Sequence, residues 1–166
     1  PHDIEPGLMQ RIAAEMNFSE STFIFPRQGD GDLRMRIFTP GEELPIAGHP
    51  TIGSTFALAA ERVIAVGRQE FVFELGVGPT PVSLEWKGDT LDFAWMTQPL
   101  PTFERTMDVR ALVASLGVTE SDALPSLPAH VISCGVPFLF VPLASRVAVD
   151  RVGLLERIAG ELIGRR

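Results

Sequence analysis

Two short segments of the chain carry side chains that could move a proton on a small molecule. In residues 17–22, the carboxylate of Glu20 lies among small polar residues; in residues 48–53, the imidazole of His49 precedes a proline. Carboxylates and imidazoles are frequent general acids and bases in enzymes. If the fold brings the two segments together, they form a site for acid–base chemistry.

Both residues also have ordinary structural explanations. A glutamate that follows a helix is most often solvated surface, and a histidine near the start of a helix is most often a capping or packing residue. Taken one at a time, Glu20 and His49 therefore indicate no more than a soluble α+β domain.

The segment around His49 gains a second chemical feature from the helix predicted after it. Pro50 suits the first position of that helix, and because proline has no N–H, the first free amides would belong to Thr51, Ile52 and Gly53. Free amides and the helix dipole attract anions. A substrate carboxylate held there would lie beside the imidazole of His49.

Periodicity and turn residues predict the elements that position these groups. We expect helices at residues 6–16, 50–62, 109–116 and 152–163. We expect strands at residues 21–25, 33–39, 70–75, 80–85, 90–96, 129–134 and 138–143. The helix from Pro50 is small and apolar all round, so we expect it to be buried on every side. The sum is an α+β fold, a mostly antiparallel curved sheet around a central buried helix.

Composition narrows the class of protein. The net charge is −7, so broad binding to nucleic acid or to anionic membranes is not expected. Cys134 is the single cysteine and no His/Cys cluster has metal-ligand spacing, so we expect no metal site. The apolar runs are too short to span a bilayer, and no signal peptide is recognised. The expectation is a cytoplasmic protein.

The order and wording of the two segments resemble a known family. Residues 9–23 read MQRIAAEMNFSESTF, and residues 36–53 contain RIFTP, ELP and AGHPTIG. Residues 135–143 add GVPF and VPL. These motifs, in this order, resemble those of the phenazine-biosynthesis (PhzF-like) isomerases, and the resemblance extends over nearly the whole chain.

The resemblance implies a function as well as a fold. It implies a diaminopimelate epimerase-like architecture of two similar domains, each a barrel-like sheet around a helix. Glu20 maps onto the family's general acid/base and His49 onto a residue for substrate binding and proton handling. The implied reaction is a cofactor-independent isomerisation of a small carboxylic acid by a homodimer. The substrate-binding residues expected from the two segments are Asn17, Ser19, Gly48, Thr51, Ile52 and Gly53.

The chain departs from the family pattern in two places. The family's first strand and Gly-Asn-Pro segment do not precede the first helix, and no "EDPATGSA"-like stretch of the second domain follows. We therefore expect a family N-terminal domain at residues 1–143, and a helical tail or the start of a linker at residues 144–166. The alternative function is a catalytically incomplete fragment or a domain that binds small acids.

Overall fold

The structure is a computed structural model that describes residues 4–153, apart from the side chain of Ala111. The chain divides into two compact units, Pro1–Pro99 and Leu100–Arg166. Each unit has its own sheet among the described residues, and the two are described separately. The domain boundary expected after residue 143 stays a prediction.

The first unit alternates two helices with six strands over its described part. They are α1 (Pro6–Met16), β1 (Ser21–Pro26), β2 (Leu33–Phe38), β3 (Glu43–Leu44), α2 (Gly48–Ala60), β4 (Glu70–Leu75), β5 (Gly78–Lys87) and β6 (Thr90–Met96). α1 starts with a proline, which loses no hydrogen bond in a first turn. It ends at Asn17, whose left-handed backbone (φ 51°) places its N–H on the carbonyl of Ala13.

The sheet of the first unit curls around α2. Its strand order is β1-β2-β4-β5-β6, with β3 paired to β2. The neighbours are antiparallel except β2 and β4, which pair in parallel. α2 contacts both β1 and β6, the two end strands of this order, and a flat sheet could not bring both ends to one helix. The predicted α+β class with a mostly antiparallel, curved sheet is confirmed.

α2 is buried on one side. Thr51 and Thr55 are 0% exposed, and their hydroxyls donate to the carbonyls one turn earlier, at 2.7 and 2.8 Å, so burial leaves neither hydroxyl unpaired. The expectation of burial on every side was wrong for the described chain. Uniformly small, apolar residues make a helix suitable for burial but do not show what covers it. The exposed positions are Gly48, His49, Gly53, Phe56, Ala57 and Ala60.

A carboxylate clamps the turn between β1 and β2. Glu74 on β4 accepts hydrogen bonds from the backbone N–H groups of Gln28, Gly29 and Gly31 at 2.7 to 3.0 Å. These bonds, the one from Gln28 foremost, favour the charged carboxylate and lower the pKa of Glu74 below its ordinary value. The clamp fixes the turn that aligns β1 with β2, and so helps to fix the strand that Glu20 precedes.

The second unit contains a three-stranded antiparallel sheet, β7-β8-β9. Its elements are β7 (Thr102–Met107), α3 (Val109–Leu116), a 3-10 turn (Glu120–Asp122), β8 (Ala129–Ser133), β9 (Pro137–Phe140) and α4 (Arg146–Asp150). Val113, Val118 and Ala123 form a small apolar core. Asp122 joins this turn to α4 by an ion pair with Arg151.

The helices at residues 6–16 and 109–116 and the strands at 70–75 and 90–96 have the predicted bounds. The other predicted elements that lie within the described residues differ by one to three residues at one or both ends, whereas β3, β7 and α4 were not predicted. Of the predicted helix at 152–163, the first two residues are not helical, and the rest lies outside the described residues. None of the described helices is long and apolar enough to cross a membrane.

Candidate functional site

Glu20 lies in the short connection between α1 and β1. The left-handed turn at Asn17 reverses the chain direction after α1, and β1 begins one residue after Glu20, with Ser21 opposite Phe38 of β2. The side chain of Glu20 is 17% exposed. The carboxyl group of Glu20 is therefore shielded from most of the solvent.

His49 is the second residue of α2 and lies next to Glu20. Nε2 of His49 is 2.9 Å from Oε2 of Glu20. The imidazole is 71% exposed, so one partner of the pair is shielded and the other is accessible. The expectation that the two segments meet is confirmed in the geometry, although the catalytic roles of the two residues stay predictions.

The pair is close without forming a hydrogen bond. Oε2 of Glu20 is buried and has no hydrogen-bond partner among the described residues, so the short distance to Nε2 of His49 lacks the alignment that a hydrogen bond requires. A buried, unpaired carboxylate oxygen is costly and uncommon in folded proteins. The unpaired oxygen lies against the imidazole of His49, and Glu20 therefore differs from a carboxylate that is held in place by hydrogen bonds.

The start of α2 differs from the prediction. The helix begins at Gly48, with Ala47 as its N-cap and no side-chain cap, which is two residues before the predicted start. Pro50 is therefore the third helical residue, a position whose N–H would also be free in any helix. The amides of Thr51, Ile52 and Gly53 lie beyond these first positions, so the amides free at the first turn are those of Gly48 and His49.

A second contact joins β1 to α2 one turn farther along the helix. The hydroxyl oxygens of Thr22 and Ser54 lie 3.1 Å apart and share a hydrogen bond. Together with the Glu20–His49 contact, it gives two fixed points between the strand and the helix. Two contacts fix the relative position of the two elements more firmly than one, so Glu20 and His49 are held in a defined relation to each other.

The expected substrate-binding residues differ in what they can offer to a ligand. Thr51 is fully buried and its hydroxyl is used within the helix. Ile52 is half-buried, while Asn17, Ser19, Gly48 and Gly53 are exposed. Their roles in binding stay predictions. Between Gly48 and Thr51, the structure favours Gly48, because it is exposed and lies in the first turn with a free amide, whereas Thr51 is buried.

Sequence reasoning overlooked one polar residue near this pair. The side-chain nitrogen of Gln98 lies 3.9 Å from the point where a Cβ on Gly48 would stand. Gln98 follows β6, far from the two segments in sequence, and none of the motifs includes it. No pattern in a single sequence would have connected it with His49.

Other features of the described residues do not compete with this site. No group of three or more His, Cys, Asp or Glu side chains within residues 4–153 is arranged to hold a metal ion. A cavity of about 490 Å³ lies in the second unit and is lined by residues 107–110, 120 and 123–128. It includes neither member of the Glu20–His49 pair, and the charged pair in its lining, Arg110 and Glu120 at 3.6 Å, is exposed on both sides.

Comparisons with known proteins agree with this arrangement. The sequence profile of the phenazine biosynthesis-like protein family (PhzC-PhzF) matches residues 2–155. Among curated proteins, the trans-2,3-dihydro-3-hydroxyanthranilate isomerase of Pseudomonas aeruginosa is 40% identical over 148 residues, which is 89% of this chain and 50% of that protein.

Solved structures of the same kind match the fold. A PhzF-family phenazine biosynthesis protein of Bacillus anthracis has a TM-score of 0.77 at 28% identity, over 95% of this chain and 52% of that one. A protein of Pseudomonas aeruginosa described as a predicted epimerase has a TM-score of 0.78 at 27% identity, over 98% and 58%. The chain spans about half the length of the curated relatives it matches. By its sequence profile, its relatives and its fold, the chain belongs to the phenazine biosynthesis-like (PhzC-PhzF) family.

Proposed function

We propose that this chain forms the part of a PhzF-like isomerase that carries the proton-transferring residue. Glu20 is the general acid/base, and His49 orients the substrate and handles protons beside it. The substrate is a small carboxylic acid. The main support for the proposal is the distance of 2.9 Å between the accessible imidazole of His49 and the shielded carboxylate of Glu20. The Glu20 oxygen in this contact, Oε2, has no hydrogen-bond partner among the described residues.

The proposed chemistry is a proton shift. The carboxylate of Glu20 removes a proton from a substrate carbon, the electrons of the broken C–H bond move into the adjacent π-system, and protonated Glu20 returns the proton at another carbon. One base and its conjugate acid balance the reaction, so the proposal includes no metal or organic cofactor. Shielding from water keeps the carboxylate from being solvated before it reacts.

The start of α2 supplies the proposed anchor. The free amides of Gly48 and His49 can donate hydrogen bonds to a substrate carboxylate, and the helix dipole favours a negative charge there. A carboxylate held at these amides places the rest of the molecule near the imidazole and near Oε2 of Glu20. Binding at a fixed point is what makes the proton transfer effectively intramolecular.

The names of the relatives suggest a candidate substrate. The 40% identical relative is named for trans-2,3-dihydro-3-hydroxyanthranilate, a cyclic carboxylic acid, and several other relatives are named only as isomerases. We therefore propose a cyclic or similarly compact carboxylic acid as substrate. Homodimer formation stays a prediction from the resemblance, and a cytoplasmic location stays a prediction from the composition and sequence signals.

The reaction type can be tested with the natural protein that contains this chain. It would be incubated with trans-2,3-dihydro-3-hydroxyanthranilate, unlabelled or deuterated at the carbon that loses its hydrogen, and the double-bond shift followed by absorbance. We expect isomerisation that is slower with the deuterated compound. If neither this compound nor related cyclic carboxylic acids are isomerised, the proposed reaction is wrong.

A further inference from the structure

Gln98 is held beside the start of α2 by the backbone that precedes it. β6 ends at Met96, and the N–H of Thr97 donates to the carbonyl of Pro81 on β5 at 2.8 Å. The backbone is therefore tied to the sheet one residue before Gln98. A long side chain anchored in this way reaches a definite region, although it is exposed.

That region is the surface of Gly48. A Cβ built on Gly48 would have the side-chain nitrogen of Gln98 at 3.9 Å, and no other atom within 4 Å apart from its chain neighbours and the backbone of its own helix. The space that a side chain at Gly48 would occupy is therefore open except for the amide group of Gln98. A ligand that fills this space at the start of α2 would lie within reach of Gln98.

The amide of Gln98 is available for such a contact. It makes no hydrogen bond or ion pair with any other described residue. A neutral carboxamide offers two N–H donors and one acceptor at any pH. The oxygen and nitrogen of this group are assigned by their surroundings, and a rotation about its last bond presents the donors to an anion at Gly48.

We propose that Gln98 is a specificity-determining residue that donates a hydrogen bond to the substrate carboxylate at the start of α2. The inference rests on the proposed function of the same site and adds a residue that the motifs do not contain. The carboxylate would then accept hydrogen bonds from the amides of Gly48 and His49 on one side and from Gln98 on the other. Hydrogen bonds to a charged group are stronger than those between neutral groups, so Gln98 favours acids over neutral analogues.

The test compares an acid with its amide. The full chain would be titrated with anthranilate and with 2-aminobenzamide, which have the same ring and differ in the charged group, while the ring protons of His49 are followed by NMR. Loss of one hydrogen bond to a carboxylate weakens binding by about tenfold. We expect Gln98→Met to weaken anthranilate by this factor and Gln98→Glu, which adds repulsion, to weaken it more. Both variants should weaken 2-aminobenzamide less than they weaken anthranilate, because its carbonyl oxygen can accept the same hydrogen bond but carries no charge.

The matched controls are Gln69→Met and Gln69→Glu, since Gln69 is exposed in the same unit and belongs to no part of the site. They should bind anthranilate as the wild type does. Equal weakening of both ligands by the Gln98 variants, wild-type affinity in them, or a wild-type chain that does not prefer the acid would overturn the role of Gln98. The isomerase assay decides the proposed function separately, because it measures turnover and not affinity.

Discussion

Glu20 combines two properties at the residue scale: its side chain is shielded, and its oxygen next to His49 has no hydrogen-bond partner in the described structure. Structural carboxylates of the same chain look different. Glu74 accepts three backbone hydrogen bonds, and Asp32 binds Arg68 and the N–H of Val72. The contrast separates carboxylates that hold the fold from one that is left available for chemistry.

This contrast predicts the effect of Glu20→Gln on stability. The amide has nearly the same shape, and the oxygen it replaces accepts no hydrogen bond, so no stabilising bond is removed. We expect the free energy of unfolding to change by less than about 0.5 kcal/mol, measured by urea denaturation. In contrast, a loss of about 2 kcal/mol or more would show that Glu20 is a structural residue.

Some residues of the candidate site could be predicted from the sequence and others could not. Glu20 and His49 were found through their motifs, because each motif is a continuous stretch of chain. Gln98 was missed because its importance depends on where β6 ends relative to α2, which is a property of the folded sheet. The start of α2 was placed two residues too late, since proline is acceptable at the third helical position as well as at the first.

At the scale of elements, β1 and α2 must keep a fixed relation for Glu20 to meet His49. The hydrogen bond between Thr22 and Ser54 is the second contact between them. The strands themselves were predictable from alternating residues and turn residues, and α1 from its proline and asparagine ends. The short strand β3, at only two residues, carries too little pattern to be recognised.

A double-mutant cycle measures this second contact. Thr22→Val, Ser54→Ala and the double variant would be unfolded with urea, and we expect a coupling energy of about 1 kcal/mol, the usual net contribution of one hydrogen bond. The cycle cancels the separate effect of alanine on helix propensity. If the two changes are additive within about 0.3 kcal/mol, the bond does not hold strand and helix together.

At the scale of the whole molecule, carboxylates whose pKa is lowered occur in both compact units. Glu74 is an example in the first unit and Asp122, which accepts hydrogen bonds from Thr119 and pairs with Arg151, in the second. Burial alone would raise the pKa of Asp32, but the hydrogen bonds from Arg68 and Val72 outweigh it and lower the value. These groups stabilise the fold only in their charged form.

These lowered pKa values determine how the stability of the fold depends on pH. A carboxyl group with a lowered pKa in the folded state contributes fully above its ordinary pKa, which is 4.5 for Glu74, and the contribution is lost as the pH falls through the lowered value. We expect the melting temperature to fall on acidification below this range and to fall less steeply in Glu74→Gln. An unchanged slope in that variant would mean that the clamp on the β1–β2 turn does not contribute.

The fold class was predictable because it depends on the types of the helices and strands and on their order. Which sides of α2 are packed against other elements was not predictable. Its exposed side includes Phe56, and the chain spans about half the length of its curated relatives. We expect the chain by itself to bind small acids better than it converts them, because it spans only about half the length of relatives that are named as isomerases. Comparing its affinity and turnover with those of the full-length relative that is 40% identical would measure this difference.

The central claim is that Glu20 transfers the proton, and the turnover number of Glu20→Gln in the natural protein tests it most directly. The matched control is Glu15→Gln, an exposed glutamate on α1 that undergoes the same chemical change away from the site. Loss of a general acid/base typically lowers the rate by about 100-fold to 10,000-fold. We therefore predict that Glu20→Gln lowers the turnover number by at least about 100-fold and that Glu15→Gln leaves it unchanged. Turnover by Glu20→Gln at the rate of the control would contradict the account.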